Sequence, residues 1–210
     1  SEPGSGSDLA SLSTKAVDDG DGYIVNGQKV WTTLGHLAKW GLIVTRTDPT
    51  VPKHRGLTFF IVDMESDGVD VRPLRQITGE AEFNEVYFTD VKIPKENILG
   101  SLGDGWRVSL AILMNERVAI GGNVRERGSG APGHLVQLWK ENELDDPVSR
   151  DKLIKLWIEQ EAVRLTNVRA FENREKGTPG PEGSTSKLYE AEINKASYEF
   201  GMEMMGNDAL

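Results

Sequence analysis

The stretch Glu85-Val86-Tyr87-Phe88-Thr89-Asp90-Val91-Lys92-Ile93-Pro94, followed by Asn97-Ile98-Leu99-Gly100 and then Gly103-Asp104-Gly105-Trp106, is where this chain changes its period. Up to Ile93, β-branched and aromatic residues alternate with polar ones, as a strand with one buried face requires. Beyond Gly105, the residues Trp106, Leu110, Leu113, Arg117 and Ile120 recur at three- and four-residue steps, the spacing of one helix face. A switch of this kind at a glycine-rich junction predicts an all-β half followed by an all-helical half.

Working back from the junction, strand-length runs occupy Phe83 to Ile93, Val69 to Leu74, Leu57 to Asp63 and Leu42 to Thr47, with Asp48-Pro49, Val51-Pro52 and Ser66-Asp67-Gly68 between them. Tyr23 to Val25 and Lys29 to Thr33 flank Asn26-Gly27, which predicts a tight hairpin. Working forward, Gly128 to Gly133 ends the first helix, and Asp146-Pro147 starts the second with Asp146 as cap and Pro147 at the first helical position. Leu153, Leu156, Trp157, Ile158, Val163, Leu165 and Val168 supply its buried side. Ser184 is placed to cap a last helix through Leu188, Ile193, Tyr198, Phe200 and Met202, after a loop over Gly177 to Ser186. The expected class is α+β: an all-β barrel or sandwich domain over residues 1–100, then a partial antiparallel helical bundle over residues 101–210. Helices this apolar need covering, by more chain or by another subunit.

Composition narrows the functions. The 210 residues carry a net charge of -9, which argues against nucleic acid or an acidic membrane surface as partner. No apolar run approaches the roughly 18 residues of a membrane span. Cys is absent, which removes disulfides, thiol nucleophiles and thiolate metal sites and fits a reducing cytoplasm. His36, His54 and His134 show no ligand spacing, so no metal site is expected. The first residues, Ser1-Glu2-Pro3-Gly4-Ser5-Gly6-Ser7-Asp8, form a loop in which Ser1, Ser5 and Ser7 offer hydroxyls and consecutive amides suited to an anionic ligand.

That loop, the segment Asn26-Gly27-Gln28-Lys29-Val30-Trp31-Thr32-Thr33, the stretch from Glu85 to Gly100 and Gly103-Asp104-Gly105-Trp106 leading to Asn115-Glu116-Arg117 resemble, in this order, the acyl-CoA dehydrogenase family. The resemblance covers essentially the whole chain and is strongest from Ser1 to about Gly122. It implies a middle β-domain and the first part of a C-terminal helical domain, with an N-terminal helical domain and the final helices lying outside these residues. A piece of that extent is expected to be inactive by itself. The implied chemistry is α,β-dehydrogenation of an acyl-CoA with FAD as cofactor and an electron-transfer flavoprotein as acceptor. The implied assembly is a homo-oligomer, dimer or tetramer, with mixed oligomers in one bacterial branch.

On the resemblance, Ser1, Gly6, Ser7, Trp31, Thr32 and Thr33 contact the flavin, and Ser7 also lies near the acyl-CoA. Trp31 and Thr33 sit two apart on a strand and so are expected to point to one side; the other use of these residues is a core tryptophan and a β-former. No Gly-x-Gly-x-x-Gly follows a strand, so a Rossmann grip is not expected. Glu116 is the candidate base for the α-proton, in an expected apolar setting that would raise its proton affinity. Its alternative is a structural ion pair with Arg117 or with another helix. Arg117 matches an arginine that tunes this acid, and Leu113, Met114 and Asn115 complete the acyl-CoA site, Met114 being equally suited to core filling. Two segments depart from the usual pattern: Gly79 to Asn84, and Arg125 to Gly133 where relatives carry Arg-x-x-Phe-Gly.

Overall fold

The computed structural model describes residues 1–121, 124–177 and 180–209, with side chains for residues 1–116, 124–177 and 180–208. Two compact units share the chain, Ser1–Ile112 and Leu113–Leu210.

The first unit is one mixed sheet of β1 (Lys15–Asp18), β2 (Gly22–Thr33), β3 (Trp40–Arg46), β4 (Leu57–Asp63), β5 (Val69–Leu74), β6 (Phe83–Pro94) and β7 (Ile98–Leu99). Its strand order is β5-β6-β2-β1-β3-β4-β7. Every ladder is antiparallel except β1 with β3, which meet in parallel at Lys15 and Arg46. Val25, Phe60, Val86 and Val91 are among its most buried side chains, each at most 1% exposed. Burying such a side chain stabilises by roughly 1.5–3 kcal/mol.

No hairpin forms at Asn26-Gly27; β2 runs straight through as one strand of 12 residues. The register passes from Val25↔Val91 to Gly27↔Phe88, so the extra residue lies on β6, where Asp90 takes φ 52. Asn26 fills that bulge: its Oδ1 accepts from the Asp90 amide and its Nδ2 donates to Asp90 Oδ1, each at 3.0 Å. Gly27 admits a neighbour, since a Cβ there would lie 2.5 Å from Thr14 Oγ1. Asn-Gly here serves a bulge and a close approach, two uses that share their residue types with a turn.

Helix α1 (Gly105–Gly121) buries Val108 and Ser109 and packs Trp106 and Ile112 against Leu12, Leu57 and Phe59. The inward face therefore runs 105, 108, 109, 112, whereas Leu110 is 45% exposed. A Cβ at Gly105 would lie 2.7 Å from the backbone of Leu57 and Thr58, so glycine lets the helix start against β4.

The second unit holds α2 (Ala131–Glu141), α3 (Pro147–Glu175) and α4 (Glu182–Met205). Helix α2 begins inside the stretch expected to be only a breaker, because a proline in the first turn starts a helix as readily as it ends one. Asp146 caps α3, accepting from the amides of Ser149 (2.7 Å) and Val148 (3.4 Å). The buried line of α3 is Leu153, Leu156, Gln160, Val163, Asn167 and Ala170. These alternate three- and four-residue steps, which leaves Ile158 and Leu165 off the seam and over half exposed. On α4 the matching line is Glu182, Ser186, Glu190, Ile193, Ser197 and Phe200. Lys152–Glu203 at one end and Asn173–Glu182 at the other set α3 and α4 antiparallel. Among the described residues no helix is long and apolar enough to cross a membrane.

Candidate cofactor and substrate site

The opening loop is a closed turn pinned to β2. Glu2 and Ser5 exchange two backbone hydrogen bonds of 3.0 Å, and the Val30 amide donates to the Ser1 carbonyl at 3.0 Å. Glu2 points inward and is 5% exposed. Its carboxylate accepts from Lys29 Nζ at 2.8 Å, from the amides of Ser13 (2.7 Å) and Thr14 (2.9 Å), and from the Ser13 hydroxyl at 2.9 Å. Burial pushes this carboxyl upward, but the bonds from Lys29, Thr14 and Ser13 outweigh it and hold the pKa at about 2. Ser5 is not a ligand hydroxyl: it is buried and donates to the Asp8 carbonyl at 2.6 Å. Ser1, Gly6 and Ser7 remain on the outside.

Beside this loop β2 bulges a second time. Lys29 pairs with Val86 and Thr32 with Asn84, so the extra residue is on β2, and Trp31 takes φ 63. The simple two-apart alternation fails across such a bulge. The shared side follows by another route: Thr33 lies directly opposite Phe83, which puts both side chains on one face, and the Trp31 ring meets Phe83 edge-on at 6.2 Å. Trp31 is 62% exposed, so it is not a core tryptophan. Among the described residues no protein group bonds to the Ser7 hydroxyl, the Thr33 hydroxyl or the Trp31 indole N–H.

These are the features a flat heteroaromatic cofactor with a polar edge requires: an open indole plane, a hydroxyl on the same face, and a neighbouring loop of small residues. Gly6 adds access, since nothing lies within 4 Å of where its Cβ would be. The set fits FAD.

The remaining candidates sit on α1 in the second unit. Leu113, Met114, Asn115 and Glu116 are all exposed. The apolar setting expected for Glu116 is not found. Its side chain is 48% exposed and pairs with Lys187 of α4 at 3.5 Å. The Arg117 side chain lies outside the described residues. Two grooves of the second unit, about 380 Å³ between α2 and α4 and about 400 Å³ between α3 and α4, include neither Leu113 nor Met114. Arg125 is bound within its own unit, to Glu190 at 2.7 Å. Sequence reasoning missed Glu2, Lys29, Phe83 and Asn84, whose roles depend on cross-strand neighbours. The unusual Gly79–Asn84 segment was the one available signal.

A bulged β-sheet unit with an indole and a hydroxyl exposed beside a small-residue loop, followed in sequence by a helical unit, defines an α+β protein. The description "Acyl-CoA dehydrogenase, middle domain" matches residues 1–91, and "Acyl-CoA dehydrogenase, C-terminal domain" matches residues 103–210. The acyl-CoA dehydrogenase FadE34 of Mycobacterium tuberculosis is 42% identical over all of this chain, which spans 29% of that protein. The acyl-CoA dehydrogenase IpdE1 of the same organism is 38% identical, with 54% of its length covered. Among solved structures, the ChsE4-ChsE5 complex from M. tuberculosis superposes with a TM-score of 0.83 at 32% identity, over all of this chain and 55% of that one. The chain belongs to the acyl-CoA dehydrogenase family.

Proposed function

We propose that the natural full-length protein is an FAD-dependent oxidoreductase that introduces an α,β double bond into an acyl-CoA thioester. Ser1, Gly6, Ser7, Trp31, Thr32 and Thr33 hold the FAD. Ser7 with Leu113, Met114, Asn115, Glu116 and Arg117 holds the acyl-CoA. The observation that carries this reading is the convergence on one face, beside the Ser1–Ser7 loop, of the exposed Trp31 indole and the Thr33 hydroxyl, neither of which has a hydrogen-bond partner among the described residues. Bound FAD supplies the two-electron acceptor for the hydride that leaves the β-carbon. Glu116 takes the α-proton, and the α-C–H electron pair becomes the new double bond as hydride departs. Lys187 holds Glu116 only as an exposed pair, which an incoming substrate displaces at little cost. Electrons pass on to an electron-transfer flavoprotein. The protein works as an oligomer, and the two-component ChsE4-ChsE5 assembly supports a mixed one.

One observation favours a second reading, a binding or assembly subunit without turnover: Glu116 has a surface ion pair in place of the apolar pocket a strong general base needs. Flavin-band absorbance of the purified full-length protein and reduction by acyl-CoA separate the two. A yellow protein bleached by substrate, with bleaching lost in Glu116→Gln, supports the enzyme. A colourless protein that takes up no FAD sinks it, and an unchanged rate in Glu116→Gln moves the base elsewhere.

A further inference from the structure

Asn84 of β6 is completely buried, and its amide is fully engaged by the end of β2, the turn after it and the residue before β6. Nδ2 donates to the Thr32 carbonyl at 2.9 Å and to the Glu82 carbonyl at 3.1 Å. With both amide protons directed at carbonyls, Oδ1 has one orientation, and it faces His36 Nδ1 at 3.1 Å. His36 Nδ1 therefore carries a proton, and among the described residues that is the hydrogen bond that holds the exposed ring. The same Glu82 carbonyl accepts from the Leu34 amide at 2.7 Å. Gly35 is buried over the side chain, where a Cβ would lie 3.5 Å from Asn84 Cβ and Cγ.

The segment so gripped does not hold its shape alone. Trp31 at φ 63 and Leu34 at φ 53 both occupy the left-handed region. Each is disfavoured in a non-glycine residue and persists only where surroundings over-determine it. Among the described residues, Asn84 is the one buried side chain that bonds both the Thr32 carbonyl, between Trp31 and Thr33, and His36 beyond the turn.

We propose that Asn84, with His36 as its outer partner, is the positioning residue of the flavin-facing strand end: it fixes the Thr32–His36 turn so that the Trp31 indole and the Thr33 hydroxyl are presented together. This rests on the flavin reading above. Asn84 touches no ligand itself; it acts through Thr32 and His36.

The test uses full-length apoprotein titrated with FAD, followed by flavin fluorescence, and the visible circular dichroism of the flavin at saturation. The variants are Asn84→Asp, which keeps the shape but turns a donor pair into an acceptor facing two carbonyls, His36→Ala and His36→Gln. Expected is a loss of FAD affinity of about tenfold or more in Asn84→Asp and a smaller loss in His36→Ala, the scale of one well-placed hydrogen bond. The flavin dichroism changes in both, and His36→Gln restores it, because the glutamine amide again donates to Oδ1. Thermal melting of His36→Ala falls by no more than a few degrees, so the protein stays folded at the titration temperature and the affinity loss is not global unfolding. If Asn84→Asp does not fold, the His36 pair decides alone. Parent-like affinity and dichroism in His36→Ala and in any folded Asn84→Asp overturn the proposal while leaving the flavin reading intact; a parent protein that takes up no FAD overturns both.

Discussion

The Glu2 carboxylate and the Lys29 ammonium meet at 2.8 Å with side chains only 4% and 11% exposed, and this pair fastens the Ser1–Ser7 loop to β2 two residues before the Trp31 bulge. Burial pulls the Lys29 ammonium down against the pull of Glu2, so each charge depends on the other to remain inside. Two backbone amides and a hydroxyl complete the shell of Glu2, which turns a costly buried ion into a fixed joint.

Removing one partner leaves the other charge stranded. Lys29→Met is expected to destabilise the protein by about 3–5 kcal/mol, measured by denaturant unfolding. The double variant Glu2→Gln/Lys29→Met is expected to lose clearly less than the sum of the single changes. Strict additivity would mean that the two groups are not coupled.

Acid acts on the same joint. The folded-state pKa of Glu2, about 2, lies below its ordinary 4.5, so the ionised form stabilises the fold. That contribution, about 3 kcal/mol, is complete above pH 4.5 and is lost as pH falls toward 2. Unfolding free energy should drop across this window, and the drop should shrink in Glu2→Gln. A Glu2→Gln profile that parallels the parent's would contradict the assignment.

Gly105→Ala drives a methyl into backbone, 2.7 Å from Leu57 C and Thr58 N. Because neither atom is the end of a flexible side chain, α1 must lift from β4, and a loss of about 1–3 kcal/mol follows. Chemical denaturation provides the check, with a parent-like midpoint as the contrary result.

Glu116 and Lys187 separate structure from chemistry. Lys187→Met should shift stability by less than about 1 kcal/mol, since both side chains are 44–48% exposed. Glu116→Gln should lower the rate of flavin reduction by about 10²–10⁴-fold, the usual contribution of a positioned base. Stopped-flow reduction by acyl-CoA reads the second effect and thermal melting the first.

Local chemistry was legible where one element settles its own fate. β4 and β5 occupy the intervals read from β-branched and aromatic runs between turn signals, and Asp146-Pro147 starts α3 as its residue types require. Which residues face inward was less legible. Leu110, Ile158 and Leu165 are as apolar as Val108, Leu156 and Val163, yet a shift of one or two positions around a helix decides which set meets a partner. Asn26-Gly27 carries a turn's chemistry, and only the register with β6 makes it a bulge.

The sequence by itself determined the two-part α+β order and the family, because periodicity and motif spacing are properties of the chain read along its length. The tertiary structure decided what holds the candidate site: Glu2 on Lys29, Thr33 opposite Phe83, and Asn84 beneath the Thr32–His36 turn. Those contacts join residues 27, 50 and 52 positions apart. Their strength comes from burial and cross-strand register, which exist only once the sheet has formed.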